Sequence, residues 1–378
     1  MNVSKKILFV SDIDLSDKNH AGNKNALLSL ASYLGEKNEV HLLNLHRHKS
    51  NPACFQKTVY FPRYLNVIKR KIFSFVCDSQ KMSSYKSSLL LSLITKILDL
   101  VYNYDYVFVE YLELHSSIKF IKYNKRVCDL HDLMHLRKES FHNGGLKIAP
   151  GLNVDAREEV DLINLFAKVL VIQDKELEHL RTFDIRSELI LAKRSAIKEK
   201  SYLEQSRIEC NSYFSIGFIG NTADFNIDAL EYIYDFLWPR LAEEKNIKLY
   251  IAGSVGNKVL CGSSERIECM GFVDNLSLFY NRIDLLINPI RFGSGLKTKN
   301  IESFSYGVPV LTTQCGAEGM LTMLGNGLEV FNDEEDFLSK IELIRKARPS
   351  RKDIQNCYEK FFGAKACYGK LEESIYDI

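Results

Sequence analysis

Short apolar runs alternate with longer stretches in which apolar residues recur every three or four positions, and this pattern continues along most of the chain. In the first half the runs fall at 7–10, 40–45, 106–109, 127–130, 168–172 and 188–191. In the second half they fall at 214–219, 248–252, 267–269, 284–288, 310–313 and 328–331. Such runs predict buried parallel strands, and the periodic stretches between them predict helices. The pattern therefore predicts an α/β fold with two parallel sheets covered by helices.

A polar segment separates the two halves of the chain. Residues 193–212 are highly charged and contain no candidate strand, which is typical of a domain boundary. We predict an N-terminal domain at 1–196, a second domain at 197–350 and a terminal helical segment at 351–378.

The composition is that of an ordinary globular protein of the cytoplasm. The 378 residues are 46% apolar and 26% charged, and a net charge of +2 gives no indication of a nucleic-acid partner. Nine cysteines without disulfide or zinc spacing indicate reduced thiols. No apolar run reaches the roughly 18 residues of a membrane-spanning helix, so we expect a cytoplasmic location.

One region is strongly basic. Residues 41–100 contain ten Lys or Arg against two acidic residues, and within them 61–76 interleaves aromatic, aliphatic and basic residues. This segment is typical of a helix that lies on an anionic membrane or receives a lipid-linked acceptor. A solvated helix with its apolar side in the core also explains the pattern. Peripheral membrane contact through 61–76 is therefore one of two open interpretations.

A glycine loop followed by a basic helix start is the most informative feature of the second half. Gly293 and Gly295 allow positive φ and close approach to a ligand, and a helix is predicted at 296–306. Lys297 and Lys299 fall in its first turn, where unpaired N–H groups are already positive, so each cation costs about 0.3–1 kcal/mol unless an anion is bound there. The pattern therefore predicts a phosphate site.

Two further residues fit this interpretation. Arg291 lies on the same loop and offers a planar donor suited to two phosphate oxygens. Glu302 follows one turn after Lys299 and can accept hydrogen bonds from a diol such as ribose. The alternative is an ordinary strand-to-helix turn whose lysines face water.

The first half offers weaker candidates at strand ends. Gly22 precedes a periodic helix, and Glu110, His131 and Asp132 end two predicted strands. Because the carboxyl ends of parallel strands meet at one edge of a sheet, Glu110, His131 and Asp132 are candidates for holding the transferred group or assisting proton transfer; each is alternatively a helix cap or a core hydrogen-bonding residue. Gly22 either lets the backbone approach a ligand or is a plain turn glycine. His131 and His135 have the spacing of a metal pair on a helix, but no third ligand is apparent, so we expect no metal.

The second half resembles the GT-B glycosyltransferases, in particular the retaining family 4 group that uses nucleotide-sugars. The resemblance covers about 213–332 and rests on the order and spacing of several short motifs. These are Phe218-Ile219-Gly220 with Asn226, Ile251-Ala252-Gly253, Gly271-Phe272-Val273-Asp274, Pro289 to Lys297, Glu302 with Gly307-Val308-Pro309-Val310, and Gly316-Ala317-Glu318-Gly319.

The resemblance implies two Rossmann-like domains that face each other across a cleft, the second for the nucleotide-sugar and the first for the acceptor. It also implies that the terminal helix returns to the first domain. By the same resemblance, Glu302 holds the ribose, the backbone at Gly293, Ser294, Gly295 and Leu296 lies near the donor, and no cofactor or metal is needed. The resemblance also implies that Arg291 and Lys297 neutralise the charge of the leaving nucleotide diphosphate.

Two positions depart from the family pattern. Ser294, eight residues before Glu302, stands where many members have glutamate, so the resemblance does not supply the donor-sugar contact that this glutamate makes. The turn after Gly220 begins with Asn221 and contains neither Arg nor Lys up to Asp224. Many family members have an Arg and a Lys in this turn. We therefore expect Arg291 and Lys297, on the later loop, to take over the task of the missing Arg and Lys.

The leading hypothesis is a metal-independent, retaining transfer of a hexose or deoxyhexose from a nucleotide diphosphate sugar to a glycan or lipid-linked hydroxyl. Two other classes stay open: a nucleotide-sugar epimerase of the same fold, which needs no acceptor, and a non-catalytic nucleotide- or glycan-binding protein.

Overall fold

A computed structural model of the protein describes residues 3–16, 22–47, 52–61, 89–143, 154–197, 213–244, 246–257, 265–293 and 295–376. It forms two compact units. The first contains residues 1–193 and 367–378, and the second contains residues 194–366.

The first unit is built on a seven-stranded parallel sheet in the order β3-β2-β1-β4-β5-β6-β7. Its strands are β1 (Lys6–Ser11), β2 (Glu39–Asn44), β3 (Lys57–Tyr60), β4 (Tyr106–Glu110), β5 (Arg126–Asp129), β6 (Lys168–Val171) and β7 (Glu188–Leu191). Its helices are α1 (Gly22–Gly35), α2 (Leu89–Tyr102), α3 (Met134–Asn143), α4 (Ala156–Ile163) and α5 (Asp174–Leu180). Four residues in a row, 7–10, are fully or almost fully buried in β1, as expected for a central strand covered on both faces.

The second unit is built on a six-stranded parallel sheet in the order β10-β9-β8-β11-β12-β13. Its strands are β8 (Phe214–Ile219), β9 (Ile247–Ala252), β10 (Ile267–Gly271), β11 (Leu285–Asn288), β12 (Val310–Thr312) and β13 (Leu328–Val330). Its helices are α6 (Asp224–Tyr232), α7 (Trp238–Leu241), α8 (Leu276–Tyr280), α9 (Thr298–Ser305) and α10 (Glu334–Ala347). A π-helical segment, Ile233–Leu237, joins α6 to α7.

The last two helices, α11 (Arg351–Phe362) and α12 (Ala364–Tyr376), are divided between the units. The Arg351 guanidinium donates to the carbonyls of Tyr280 and Ile283 at 3.2 and 2.6 Å, which fixes the start of α11 in the second unit. In α12, the Tyr376 hydroxyl donates to Asn38 Oδ1 at 2.6 Å within the first unit. The segment 351–378, predicted as one piece, is thus split near residue 366.

The predicted α/β fold class is confirmed, and every predicted strand is present within one or two residues. β3 and α3 were not predicted. In the described part of the chain, the structure contains no helix long and apolar enough to cross a membrane. Apart from residue 61, the segment 61–76 lies outside the described residues, so its contact with a membrane stays a prediction.

Candidate functional site

The loops that carry the predicted donor-site residues meet at one point of the second sheet. β8 and β11 are hydrogen-bonded neighbours, and from them the strand order runs outward in opposite directions, to β9 and to β12. Such a reversal opens a crevice beyond the carboxyl ends of the two strands, and ligands of parallel α/β sheets bind there. The predicted residues at 220–221 and 291–297 directly follow these two strands.

Gly220 and Gly253 allow the turns after β8 and β9 to touch. A Cβ on Gly253, which has φ +88°, would lie 2.2 Å from the carbonyl oxygen of Gly220. A Cβ on Gly220 would lie 2.9 Å from Cγ of Asn226. Asn226 is buried, and its amide donates to Oδ1 of Asn221 at 2.7 Å. Both glycines therefore have a packing role, and Asn221 helps to fix the turn.

The glycine loop after β11 is held from within by a lysine. Gly293 and Gly295 have φ values of +109° and +76°, as the sequence predicts. Lys297, at the N-cap of α9, is only 9% exposed, and its ammonium donates to the carbonyls of Gly293 and Gly295 at 3.1 and 2.9 Å. The ammonium thus fixes the loop backbone. Leu296 is buried, and Ser294 lies outside the described residues.

Lys299 is the most strongly perturbed base of this site. Its ammonium donates to Oδ1 of Asn226 at 2.6 Å and lies 5.0 Å from the centre of the Phe218 ring. Burial, with a smaller contribution from the charge of Lys297, lowers the pKa of Lys299 to about 7, although the Glu302 carboxylate acts in the opposite direction. A cation that is hard to keep protonated at the start of a helix is stabilised by a bound anion.

Arg291 lies beside an acidic partner in this structure. Its guanidinium forms a two-point contact with the carboxylate of Asp228, with Nε 3.0 Å from Oδ2 and Nη2 in contact with Oδ1. It also stacks on the Tyr232 ring, 4.9 Å from the ring centre. Asp228 and Tyr232 both lie on α6. The sequence predicted Arg291 as a phosphate ligand but contained no signal for this ion pair.

Glu302 lies on α9 above a stacked pair of tyrosines. Its carboxylate accepts a long hydrogen bond of 3.4 Å from the Tyr280 hydroxyl. The rings of Tyr280 and Tyr306 are stacked with centres 4.7 Å apart. Glu302 is half-buried, and it lies one turn after Lys299 on the same helix, as predicted.

A chain of buried amides joins α9 to the sheet, and sequence reasoning missed it. The amide of Asn288, at the end of β11, donates to Oδ1 of Asn300 at 2.7 Å, and the amide of Asn300 donates to the carbonyl of Gly316 at 3.0 Å. The Thr312 hydroxyl donates to the Asn288 carbonyl at 2.5 Å. Asn288, Asn300 and Thr312 are all fully buried. The sequence contained one signal for this chain of amides, because Asn288 is a polar residue at the end of an apolar strand.

The first unit brings Glu110 and His131 together at the ends of β4 and β5. His131 Nε2 lies 2.6 Å from Glu110 Oε2 and 3.8 Å from Asp129 Oδ2, and both carboxylates are fully buried. Their ligand atoms lie within 4.8 Å of one another, a spacing at which they could also hold a metal ion. The Tyr111 ring stacks on His131 with centres 4.0 Å apart. Tyr111 and His131 have φ values of +69° and +62°, and such backbone strain concentrates at functional sites.

The predicted helical pair of His131 and His135 is wrong. α3 begins at Met134, so His131 lies before the helix, and the two imidazoles have different partners: His135 bonds to Glu159. Asp132 lies 3.6 Å from the guanidinium of Arg137. Gly22, the remaining predicted residue, is the first residue of α1.

Comparisons with known proteins agree with this architecture. Residues 213–346 match the family model of the glycosyl transferases group 1. The chain is 24% identical to an uncharacterized 44.6 kDa protein in the cps region of Klebsiella pneumoniae, over 92% of this chain and 93% of that protein.

Two solved structures have the same fold along nearly the whole chain. HepE from Anabaena, in complex with UDP and glucose, is 14% identical with a TM-score of 0.66, over 99% of this chain and 100% of that one. WaaG, a glycosyltransferase involved in lipopolysaccharide biosynthesis, is 14% identical with a TM-score of 0.58, over 98% and 99%. The chain therefore has the GT-B fold, and its residues 213–346 are similar to the glycosyl transferases group 1 family.

Proposed function

We propose that the protein is a glycosyltransferase that moves a sugar from a nucleotide diphosphate sugar to a hydroxyl of a glycan or lipid-linked acceptor. The observation that carries this proposal is the half-buried Lys299 at the start of α9, whose pKa is lowered to about 7. The UDP and glucose bound to HepE, the lipopolysaccharide pathway of WaaG and the cps region of the Klebsiella relative all support the same chemistry.

The donor diphosphate binds where positive charge is already concentrated. The first N–H groups of α9 lack partners within the helix and form a positive pole, and Lys299 adds an ammonium one turn before Glu302. A diphosphate here removes the penalty that burial imposes on the charged lysine. Glu302 receives the ribose hydroxyls, and the positive-φ glycines at 293 and 295 allow the donor to approach the backbone.

The reaction breaks the bond between the anomeric carbon and the β-phosphate oxygen and forms a bond from that carbon to the acceptor oxygen. The acceptor proton passes to the departing phosphate, so the configuration is retained and no separate base is required. Negative charge grows on the phosphate in the transition state, and the fixed cations and helix N–H groups stabilise it. No metal ion is required for that task, and added Mg²⁺ or Mn²⁺ is expected to leave the rate unchanged.

In the first unit, the Glu110–His131 pair serves the acceptor or the transferred sugar. The 2.6 Å contact between His131 Nε2 and the Glu110 carboxylate holds the imidazole in place. The stacked Tyr111 fixes the ring plane. His131 thus orients a sugar hydroxyl.

The test uses a lysine pair matched in residue type. Lys340 on α10 forms an ion pair with Glu329 at 2.8 Å and has no place in the proposed site. A thermal-shift screen of nucleotide diphosphate sugars first identifies the donor, because a ligand that binds only the folded state raises the melting temperature. Release of nucleoside diphosphate from that donor, with and without a glycolipid extract, is then measured for wild type, Lys299→Met and Lys340→Met.

We expect acceptor-dependent release in wild type and Lys340→Met, and a loss of about 100-fold or more in Lys299→Met. Equal rates in all three proteins would refute the role of Lys299. Formation of an epimer from the donor alone would identify an epimerase. Donor binding without turnover across a broad acceptor panel would identify a binding protein.

A further inference from the structure

Two histidines of the first unit point their Nε2 atoms at each other. His135 lies at the start of α3 and His179 near the end of α5, and the two Nε2 atoms are 2.8 Å apart. His135 is buried and His179 is half-buried. The Phe183 ring covers both imidazoles edge-on, with ring centres at 6.4 and 5.2 Å. This cluster is separate from the Glu110–His131 pair.

A buried carboxylate sets the tautomer of His135. Glu159 on α4 is fully buried and accepts hydrogen bonds from the backbone N–H groups of Met134 and His135 at 2.8 and 3.0 Å. These N–H groups form the N-terminus of α3, which favours a negative charge. The same carboxylate lies 2.6 Å from Nδ1 of His135, so Nδ1 carries the proton. The lone pair of His135 is therefore on Nε2 and faces His179.

This arrangement is the one that metal-binding histidines use. A ligating imidazole commonly donates its second ring N–H to a carboxylate, which fixes the ring and raises its basicity. Two nitrogens bound at about 2.0–2.1 Å to a tetrahedral ion lie about 3.3 Å apart. The observed 2.8 Å thus requires an opening of only about 0.5 Å between the two nitrogens.

Polar side chains also line a cavity beside His135. A cavity of about 540 Å³ is lined by residues that include His135, Lys138, Glu139, His142 and Asp155. Glu139 and His142 follow His135 by four and seven positions, which places them on the same face of α3. Lys138 adds a positive charge to the cavity wall, whereas Glu139 and Asp155 add two negative ones.

The Glu110–Asp129–His131 group has more ligand atoms but a different arrangement. There His131 Nε2 faces two carboxylate oxygens directly. At His135 the carboxylate is on the Nδ1 side. The His135–His179 pair and the Glu110–Asp129–His131 group therefore suit different ligands.

We propose that His135 and His179 bind one divalent transition-metal ion of the Zn²⁺ type, with water completing its coordination. Imidazole pairs prefer such ions to Mg²⁺ or Ca²⁺, which take oxygen ligands. The ion joins α3 to α5 and so stabilises the first unit. Its role is structural and independent of the donor site.

The experiment titrates the purified, metal-stripped protein with Co²⁺ and with Zn²⁺. We expect one equivalent of Co²⁺ to give a visible d–d absorption without a thiolate charge-transfer band, and one equivalent of Zn²⁺ to raise the melting temperature. His179→Gln is expected to weaken binding at least tenfold. His115→Gln, a half-buried histidine that bonds to the Leu112 carbonyl, is the matched control and is expected to bind as wild type does.

A far-UV circular dichroism spectrum and a metal-free melting temperature equal to those of wild type verify that His179→Gln is folded. The proposal is overturned if wild type does not bind Co²⁺ or Zn²⁺ at micromolar concentrations, or if His179→Gln and wild type bind equally. A thiolate band would also overturn it, because the ion would then be held by cysteine.

Discussion

If the donor diphosphate binds beside Lys299 as proposed, the lowered pKa of this lysine makes donor binding depend on pH in a specific way. With a pKa of about 7, a large share of Lys299 is neutral at pH 7.5 in the free protein. A bound diphosphate stabilises the charged form, so the pKa of Lys299 rises on binding. Binding must then take up a proton above pH 7, and affinity must fall as pH rises.

The size of the effect follows from the two pKa values. If binding restores the ordinary lysine value of about 10.4, the dissociation constant rises about 25-fold between pH 6.5 and 8.5, and about 0.8 proton is taken up at pH 7.5. Lys299 is half-buried and solvent reduces the shift, so this figure is an upper estimate. The sign does not depend on it, since a neutral lysine offers no charge to the phosphate.

Isothermal titration calorimetry with a nucleotide diphosphate sugar measures both quantities, because buffers of different ionisation enthalpy report proton uptake. The sugar diester has no phosphate that titrates in this range. Lys299→Arg is the matched control: arginine stays charged, so its affinity is expected to be flat between pH 6.5 and 8.5. A flat profile in wild type, or an equal slope in Lys299→Arg, would refute the assignment of Lys299 to the diphosphate.

Two further predictions concern the second unit. Gly253→Ala is expected to lower stability by about 3 kcal/mol or more, because its Cβ would meet the Gly220 carbonyl at 2.2 Å. Gly271 also has positive φ but has open space around it, so Gly271→Ala is expected to cost only about 1–2 kcal/mol. Equal losses of stability for the two variants in urea unfolding would contradict this prediction. Arg351→Ala removes hydrogen bonds to the carbonyls of Tyr280 and Ile283 and is expected to cost about 2–4 kcal/mol of stability. The exposed neighbour Lys352→Ala is its control, and similar melting temperatures for the two variants would count against the role of Arg351.

The strands were predictable because most of them are fully buried. An apolar run such as 7–10 has one stable location in an α/β protein, the centre of a parallel sheet, and β1 lies there. β3 is an edge strand whose four residues are exposed or half-buried, so it has no apolar run. α3 carries no apolar stripe, and its N-terminal N–H groups are capped by Glu159, about 25 positions away. A contact of this kind leaves no local pattern.

The site was predictable where a single residue conflicts with its own local structure. Lys299 sits at the positive end of a helix, and that conflict can be recognised from sequence order alone. The partners could not be recognised. Asp228 lies 63 positions before Arg291, and the pairing of Glu110 with His131 requires that β4 and β5 be neighbours. Only the sheet order brings these residues together.

The three cations at 291, 297 and 299 were predicted to share one task, but the structure holds each of them differently. Arg291 faces a carboxylate, and moving it to a phosphate exchanges one anion for another with little net gain. Lys297 holds the two carbonyls that shape the glycine loop, so its removal disturbs the loop before it disturbs any ligand. Lys299 faces a neutral amide oxygen, which binds a cation more weakly than an anion does. An incoming diphosphate therefore gains most from Lys299, and this ranking is the reason the pH dependence should follow that residue.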